Sequence, residues 1–228
     1  MRQRDKEGQG NSIQVWIYRP ASHVNSRKHQ SVVARRLLKF AFRMVNLNIS
    51  SSILNSPGLD LIQSVREVSG IGVSITHCRE MIAVAVATGR GKVGLDCEAL
   101  GKLRNWQGIA ENFFTTMEAD ALLRADPEQL ESDFIKYWTL KEAFVKANKM
   151  SIFGGLNHLT VHSNLEVKLR RHGRDYWQVW QSTVDNCAIG LCYQGEDCAA
   201  PLLIDCTNLS SGTFEKRASS FVPCTIVK

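Results

Sequence analysis

The spacing of hydrophobic and polar positions changes several times along the chain, and the changes predict an α+β protein. Residues 29–46 place apolar side chains at helical spacing with basic residues among them, which predicts an amphipathic helix. Residues 47–72 are rich in Asn, Ser and Gly and are predicted to be irregular. Residues 81–87 and 92–98 are strand-like runs on either side of residues 88–91. The two glycines in that short connection predict a hairpin turn.

The middle of the chain, residues 104–149, has a helical pattern with two start signals. Thr115 and Glu118 have the spacing of a capping box, in which each side chain satisfies a backbone N–H at the first turn. Asp126 before Pro127 is the second signal, with Asp at the N-cap and Pro at the first helical position. An apolar stripe follows this second signal, so we expect a helix that ends near residue 148.

The last third of the chain is rich in short strand-like runs separated by polar turns. The predicted strands are 159–162, 165–169, 176–181 and 188–193. Each half of the chain therefore has a helix first and strands after it. We predict two lobes, residues 1–90 and 91–201, followed by a peripheral tail at 202–228, with residues 1–12 as a disordered lead-in.

Composition narrows the class of protein without choosing the partner. The chain has 228 residues, and 44% of them are hydrophobic, which is enough for a substantial core and excludes a disordered or collagen-like protein. The 28 Lys and Arg residues outnumber the 22 Asp and Glu residues, which gives a formal net charge of +6. That balance suits an anionic partner, which could be a nucleic acid, an acidic protein or a phosphorylated small molecule.

The segments that would direct a protein to a membrane or out of the cell are not predicted. The first ten residues are charged and Gly-rich without an apolar stretch behind them, and the apolar runs are far shorter than a membrane span. The seven cysteines contain no C-x-x-C pair, so we expect reduced thiols and not disulfides or zinc ligands. We therefore expect a cytoplasmic protein that does not bind a membrane.

Two carboxylates in the run Val93-Gly94-Leu95-Asp96-Cys97-Glu98 form the first candidate site. Asp96 and Glu98 are two residues apart on a predicted strand, so they project to the same side. Neighbouring carboxylates repel each other unless a proton or a cation lies between them, and oxygen ligands of this kind suit Mg²⁺. The alternative is a strand end whose two acids face solvent.

Two further groups carry candidate chemistry. Glu142 and Lys146 are four residues apart on the predicted long helix, so they share a face. They could join a metal and phosphate site, or they could form an exposed ion pair. Thr76 and His77 precede the strand at 81–87, where His77 could donate to a phosphate or have a structural role.

The order of four motifs resembles the 4′-phosphopantetheinyl transferases of the larger, surfactin-synthetase-activating (Sfp-like) type. That family shows S-H-S, then G-[IV]-D-x-E, then F-[FS]-x-x-E, then W-[ST]-x-K-E-[AS]-x-x-K. In this chain the corresponding runs are SITHC, VGLDCE, FFTTMEAD and WTLKEAFVKA. The resemblance covers roughly residues 70–162, with weaker support on either side.

The resemblance implies a reaction, a fold and a set of site residues. The reaction is Mg²⁺-dependent transfer of the 4′-phosphopantetheine arm of coenzyme A to a serine hydroxyl of an apo acyl or peptidyl carrier protein, releasing adenosine 3′,5′-bisphosphate. The implied fold is an α+β pseudo-dimer of two similar lobes, active as a monomer, with coenzyme A between the lobes. The implied metal ligands are Asp96, Glu98 and Glu142, with catalysis by Glu142 and Lys146. The implied coenzyme A contacts are Arg35, Thr76, His77, Lys141 and Lys146.

Departures from the family pattern and rival functions stay open at this point. No G-K-P segment precedes Ser74, Cys78 stands where the family has its second serine, and residues 148–151 replace G-x-G-L. Glu118 is a second candidate base, although its capping role explains it without chemistry. The rivals are another Mg²⁺-dependent phosphoryl-transfer enzyme such as a nuclease, a basic nucleic-acid-binding module, and a non-catalytic homologue that only binds carriers.

Overall fold

The computed structural model describes residues 11–20, 26–56, 58–101, 105–162, 164–170, 176–195, 198–207, 214–217 and 220–227. Within these residues the chain is a mixed α/β protein with seven α-helices and three small β-sheets. The helices are α1 (Arg27–Met44), α2 (Ser51–Leu54), α3 (Gly58–Ser69), α4 (Trp106–Phe113), α5 (Thr116–Leu123), α6 (Pro127–Asn148) and α7 (Ile152–Gly155). The strands are β1 (Ile13–Tyr18), β2 (Ile71–His77), β3 (Ile82–Arg90), β4 (Lys92–Ala99), β5 (Leu159–Val161), β6 (Glu166–Leu169), β7 (Trp177–Val184), β8 (Cys187–Gln194), β9 (Leu202–Asp205), β10 (Glu215–Arg217), β11 (Val222–Pro223) and β12 (Thr225–Val227).

Two of the sheets pack against each other and each carries helices on its other face. The five-stranded sheet has the order β10-β9-β1-β3-β2, and the four-stranded sheet has the order β11-β7-β8-β4. One buried cluster joins the facing sides of both sheets, a second joins the five-stranded sheet to α1 and α3, and a third joins the four-stranded sheet to α6. The sequence predicted an α+β protein, and the combination of helices with small sheets is confirmed, whereas the pseudo-dimer of two lobes stays a prediction.

The predicted hairpin between residues 81–87 and 92–98 is wrong, although both strands exist. Strand β3 pairs with β1 and β2, whereas β4 pairs with β8 in the other sheet. Neither Gly89 nor Gly91 has a positive φ. A Cβ on Gly91 would lie 2.5 Å from the carbonyl oxygen of Gln194, so this glycine permits close packing where the chain crosses between sheets.

The apolar run that suggested a hairpin strand is a strand buried on both faces. Ile82, Val84 and Val86 pack on the helices, while the intervening alanines face the other sheet. A strand covered on both sides needs apolar residues at every position, and a sequence pattern alone does not show which strand will pair with it.

Two other regions differ from the prediction. Residues 47–72 contain α2 and α3 and are not irregular, with Leu61 and Val65 of α3 buried against the sheet. The predicted peripheral tail at 202–228 is also wrong, because its four strands contribute to all three sheets, and β9 pairs in parallel with β1. The predicted lead-in at 1–12 lies almost wholly outside the described residues.

Helix α6 lies very close to the four-stranded sheet because two glycines remove the side chains between them. A Cβ on Gly94 of β4 would lie 1.9 Å from the carbonyl oxygen of Ala143, and a Cβ on Gly190 of β8 would lie 2.5 Å from that of Thr139. This contact fixes the C-terminal half of α6 beside β4. None of the described helices has the length and apolarity that a bilayer span requires.

Candidate active site

Two edge strands from different sheets meet where the candidate residues lie. The hydroxyl of Ser74 on β2 accepts from the backbone N–H of Leu95 at 2.9 Å, and that of Thr76 accepts from Cys97 N–H at 3.3 Å. Alternate residues of β2 thus supply side-chain acceptors for the edge of β4. These side-chain hydrogen bonds take the place of backbone pairing between β2 and β4. They hold the two strands side by side although each strand belongs to a different sheet.

Asp96 is the centre of a small cluster at this junction. Its Oδ1 accepts hydrogen bonds from Lys146 Nζ at 2.6 Å and from Thr76 Oγ1 at 3.0 Å. Lys146 Nζ also lies 3.8 Å from Glu142 Oε2 and donates to Thr76 Oγ1 at 3.3 Å. The other oxygen, Asp96 Oδ2, is buried without a hydrogen-bond partner among the described residues. The structure therefore brings Asp96, Glu142, Lys146 and Thr76 together.

Burial and mutual repulsion shift the charges in this cluster. Burial, and then the charge of Asp96, raise the pKa of Glu142 to about 7, although Lys146 opposes the shift. Burial also raises the pKa of Asp96 above its ordinary value against the opposing effect of Lys146. Burial acts to lower the pKa of Lys146, but the two carboxylates outweigh it and the net pKa is raised. One ammonium thus compensates two carboxylates only in part, and Glu142 titrates near neutral pH.

The third predicted acid, Glu98, lies on the same strand, near the end of β4. Strand alternation places Glu98 on the same face of β4 as Gly94 and Asp96, the face that packs on α6. Glu98 is partly buried and takes part in an interaction within the protein. Among the described residues no three acidic, His or Cys side chains form a preassembled metal centre. The convergence of all three acids on one ion stays a prediction.

The cluster opens into a cavity of about 430 Å³ between α3 and β2 on one side and α6 on the other. Glu142 and Lys146 line it together with Arg66, Ser74 and Lys149. Aliphatic side chains from both walls complete the lining. The cavity is therefore an apolar slot with three cationic side chains and one carboxylate, a lining suited to a ligand that has both an aliphatic chain and phosphate groups.

His77 and Arg35 lie at positions accessible to a ligand. His77 is exposed at the end of β2, one residue after the buried Thr76. Arg35 is partly buried on α1, where its guanidinium donates to the carbonyl oxygen of Asn55 at 3.4 Å. Thr76, in contrast, is 4% exposed and is engaged with Asp96, so its place in the structure is that of a residue positioning the carboxylate.

Lys141 does not reach the cavity, and this prediction needs correction. Its side chain is fully buried, and its ammonium lies 2.8 Å from Glu118 Oε2. It also donates to the carbonyl oxygens of Leu156 at 3.0 Å and Leu159 at 2.6 Å. All three ammonium hydrogens are thereby used inside the protein, so Lys141 has no donor left for a phosphate of a ligand.

Glu118 has a structural role that its position in the sequence already indicated. The capping box predicted with Thr115 is present, and the second carboxylate oxygen accepts from Val161 N–H at 2.8 Å. Because both oxygens already have partners inside the protein and the side chain is buried, Glu118 is not placed to accept a proton from a substrate.

Arg66, Lys149 and the hydroxyl of Ser74 belong to this site, although the sequence patterns did not indicate them. Arg66 lies on α3, a helix that the sequence did not predict, and Lys149 is the left-handed cap that ends α6 with a φ of 54°. Two signals could have indicated them: Arg66 is a basic residue just before the β2 motif, and Lys149 follows the Glu142–Lys146 helix directly.

The sequence between residues 92 and 192 matches the model of the ACPS family, the 4′-phosphopantetheinyl transferase superfamily. That segment contains β4, α6 and β8, and hence Asp96, Glu142 and Lys146. It leaves out β2 and the helices that form the other wall of the cavity.

Curated relatives match over a similar part of the chain. The 4′-phosphopantetheinyl transferase HetI of Nostoc sp. is 33% identical over 79 residues, which are 35% of this chain and 33% of HetI. The 4′-phosphopantetheinyl transferase psf-1 of Bacillus pumilus is 31% identical over 96 residues, 42% of this chain and 40% of psf-1. AcpT of Salmonella typhimurium, named as the same kind of transferase, is 33% identical over 73 residues, 32% of this chain and 38% of AcpT. The chain thus spans a third to two fifths of the length of these relatives, and the family and relatives that it matches are transferases.

Proposed function

We propose that this protein transfers the 4′-phosphopantetheine arm of coenzyme A to a serine hydroxyl of an apo acyl or peptidyl carrier protein, with release of adenosine 3′,5′-bisphosphate. The observation that carries the proposal is the Asp96–Lys146–Glu142 cluster, which lies within the matched segment and opens into the cavity. The larger, Sfp-like subtype is part of the proposal, because the motif order in this sequence supports it.

Mg²⁺ fits the donor chemistry of the cluster, and we propose Asp96, Glu98 and Glu142 as its ligands. Carboxylate oxygens are the protein ligands that Mg²⁺ prefers, and Asp96 Oδ2 is buried without a partner among the described residues. The chemistry that the ion supplies when bound is neutralisation of charge on the pyrophosphate oxygens. The ion is also the second positive charge that two carboxylates sharing one ammonium lack.

Glu142 is the residue that we propose to accept the proton of the attacking serine. A serine hydroxyl is a weak nucleophile at neutral pH, so a base is needed close to it. A general base works best when its pKa lies near the working pH, and burial together with Asp96 raises the pKa of Glu142 to about 7. The side chain lines the cavity, where a substrate hydroxyl could reach it.

The cations around the cavity are proposed to bind the phosphates of coenzyme A. Lys146 would contact the pyrophosphate, since it is one third exposed on the cavity side while it holds Asp96 on the other. His77 is proposed to contact the remaining phosphate of coenzyme A, and Arg35 is a second candidate for a phosphate contact. Arg66 and Lys149 line the cavity and are candidates for the cationic contact that the absent G-K-P segment would otherwise supply.

Charge supports the two proposed partners together. Coenzyme A carries several phosphate charges and carrier proteins are acidic as a class, so a net charge of +6 favours the encounter with either one. We propose a monomer in the cytoplasm, with the two lobes at 1–90 and 91–201 meeting at the cavity, and no nucleic-acid or membrane partner.

One mass-spectrometric experiment tests the function and separates the rivals. The protein is incubated with coenzyme A, Mg²⁺ and a panel of apo carriers, with EDTA in place of Mg²⁺ as the control. The proposal predicts that at least one carrier gains the mass of a single phosphopantetheine at its serine, only when Mg²⁺ is present. Carriers that bind without a mass change would establish a non-catalytic homologue, and cleavage of added DNA or RNA would establish a nuclease.

A further inference from the structure

Three cysteine side chains meet at the end of strand β2, and the proposed reaction uses none of them. The Sγ atoms of Cys78 and Cys187 are 3.7 Å apart. The thiol of Cys97 donates at 3.9 Å to the carbonyl oxygen of Met81, the same oxygen that accepts from the backbone N–H of Cys78. All three thiols are free and buried, and Cys78 has the largest exposed fraction at 9%. Such a cluster can do chemistry that an isolated buried thiol cannot.

The two closest cysteines belong to different halves of the fold. Cys78 directly follows β2 of the five-stranded sheet, whereas Cys187 is the first residue of β8 in the four-stranded sheet. The backbone at Cys78 is held in place, since its N–H donates to Met81 O at 2.9 Å and its carbonyl accepts from the Gln30 side chain at 3.1 Å. A bond between these sulfurs would join the two sheets next to His77.

We propose that Cys78 and Cys187 are a modification site at which a hydroperoxide forms a reversible disulfide bond between the two sheets. A disulfide has a sulfur–sulfur distance of about 2.0 Å, so the two atoms must approach by about 1.7 Å from their present 3.7 Å. At 3.7 Å the two sulfur atoms are already in van der Waals contact. The inference goes beyond the proposed transferase function and does not depend on it.

The chemistry assigns a different role to each thiol. Cys78 is the thiol that attacks the peroxide, because it has the largest exposed fraction of the three and its hydrogen bond with Cys187 acts to lower its pKa. One peroxide oxygen is transferred to its sulfur to give a sulfenic acid, and the other leaves after protonation as an alcohol, or as water when the oxidant is hydrogen peroxide. Cys187 then attacks that sulfur and expels water. The two thiols lose two electrons and two protons in total, and the peroxide gains them.

The bond has a consequence for stability that can be measured without any activity. It closes a long loop between residues 78 and 187, and cross-linking a long loop restricts the unfolded chain most. We expect oxidation to raise the thermal midpoint by roughly 5–10 °C, and a dithiol reductant to reverse the shift.

The test is peptide mapping of the full chain after treatment with hydrogen peroxide, followed by non-reducing digestion and mass spectrometry. We expect a peptide pair linked through Cys78 and Cys187, two hydrogen masses lighter than the sum of its parts, that disappears after reduction. The Cys187→Ser variant should lose both the linked pair and the midpoint shift. The Cys224→Ser variant, which changes a buried cysteine outside the cluster, is the matched control and should keep both.

Other outcomes would overturn the proposal. A link between Cys78 and Cys97, a sulfinic acid on Cys78 without any cross-link, or a wild-type midpoint that does not rise on oxidation would each contradict it. If Cys187→Ser does not fold, Cys187→Ala replaces it, and the mapping of the wild-type chain still decides the question.

Discussion

Helix α6 supplies the lysines of two lysine–carboxylate pairs, and these lysines are five residues apart. Lys141 with Glu118 is the buried pair, Lys146 with Asp96 is the cavity pair, and their surroundings differ in almost every respect. Lys141 and Glu118 are fully buried at 2.8 Å, and every donor of the lysine and both oxygens of the acid have partners. Lys146 and Asp96 are 2.6 Å apart at the edge of a cavity, with Asp96 Oδ2 unpartnered among the described residues and Glu142 nearby. Only the second pair has capacity left for a ligand.

The difference shows how a structural ion pair and a reactive one are distinguished by their hydrogen bonds and not by the residue types. A buried pair whose hydrogen bonds are complete has nothing to gain from a further group, so it holds α5, α6 and β5 together. An incomplete pair at a cavity keeps an oxygen without a hydrogen-bond partner among the described residues, and beside it Glu142 has a pKa near neutrality. Both are properties of a site that completes its bonding with substrate.

Replacing Lys141 should lower the stability of the protein and leave its activity almost unchanged. Lys141→Met leaves the Glu118 carboxylate buried without its cation, and loss of one partner of a buried pair costs about 3–5 kcal/mol. Urea denaturation at pH 7.5 without Mg²⁺ measures the free energy of unfolding. Transferase activity per folded molecule should stay close to that of the wild type. A loss of unfolding free energy below about 1 kcal/mol would contradict a structural role for the pair.

Replacing Lys146 should lower activity strongly and stability only moderately. Lys146→Met removes the cation proposed for the pyrophosphate, and loss of such an electrostatic contact lowers kcat by about 10²–10³-fold. The loss in unfolding free energy should be less than half of that for Lys141→Met, because the side chain is one third exposed. Steady-state kinetics on a carrier protein measure the first effect. If Lys146→Met keeps its kcat and only unfolds more easily, Lys146 is a structural residue and its proposed contact with the pyrophosphate is wrong.

The pH dependence of the reaction tests the role of Glu142, the carboxylate beside the Lys146–Asp96 pair, because it titrates near neutrality. Burial and Asp96 raise the pKa of Glu142 to about 7, and both a base and a metal ligand need the ionised form. We expect kcat/KM at limiting Mg²⁺, where the free enzyme holds no ion, to fall about tenfold per pH unit below pH 7 and to level off above it. A profile that is flat from pH 5.5 to 8 would contradict the role of Glu142.

Glu142→Gln should show that the buried carboxylate of Glu142, beside the cavity pair, lowers the stability of the folded protein. In the unfolded chain Glu142 ionises at its ordinary pKa near 4.5, whereas in the folded protein its pKa is about 7. Ionisation therefore disfavours the folded state increasingly as the pH rises from about 4.5 through 7. Without Mg²⁺ the variant should be more stable than the wild type by about 3 kcal/mol at pH 8, and the gain should vanish near pH 4. A variant that is less stable at pH 8 would contradict this.

Local spacing along the sequence indicated which neighbouring residues share a face, but not the contact between either lysine and its distant carboxylate. Asp96 and Glu98 two residues apart on a strand, and Glu142 four residues before Lys146 on a helix, are patterns that local geometry determines. Lys141 is adjacent to Glu142 and so lies about 100° around the helix from it, which places it on another face. The capping-box position of Glu118 was visible in sequence, but its partner on α6 was not, because the contact joins residues distant along the chain.

The errors in the fold have the same origin. Strands β3 and β4 look like a hairpin because they are adjacent in sequence with two glycines between them, yet each pairs with strands far away along the chain. The C-terminal strands are too short to stand out by composition, and only their pairing with β1, β6 and β7 makes them part of the sheets. Local patterns predict elements, whereas the partners of an edge strand depend on the whole chain.

The most direct test of the proposed reaction site compares the wild type with Asp96→Asn in the carrier assay with coenzyme A and Mg²⁺. Asparagine keeps the size of the side chain and removes the charge on which both Lys146 and the proposed ion depend. The wild type should convert a suitable apo carrier to the form heavier by one phosphopantetheine, and Asp96→Asn should yield no such product although it folds. Modification by the variant at the wild-type rate would contradict the assignment of the cavity pair as the reaction site.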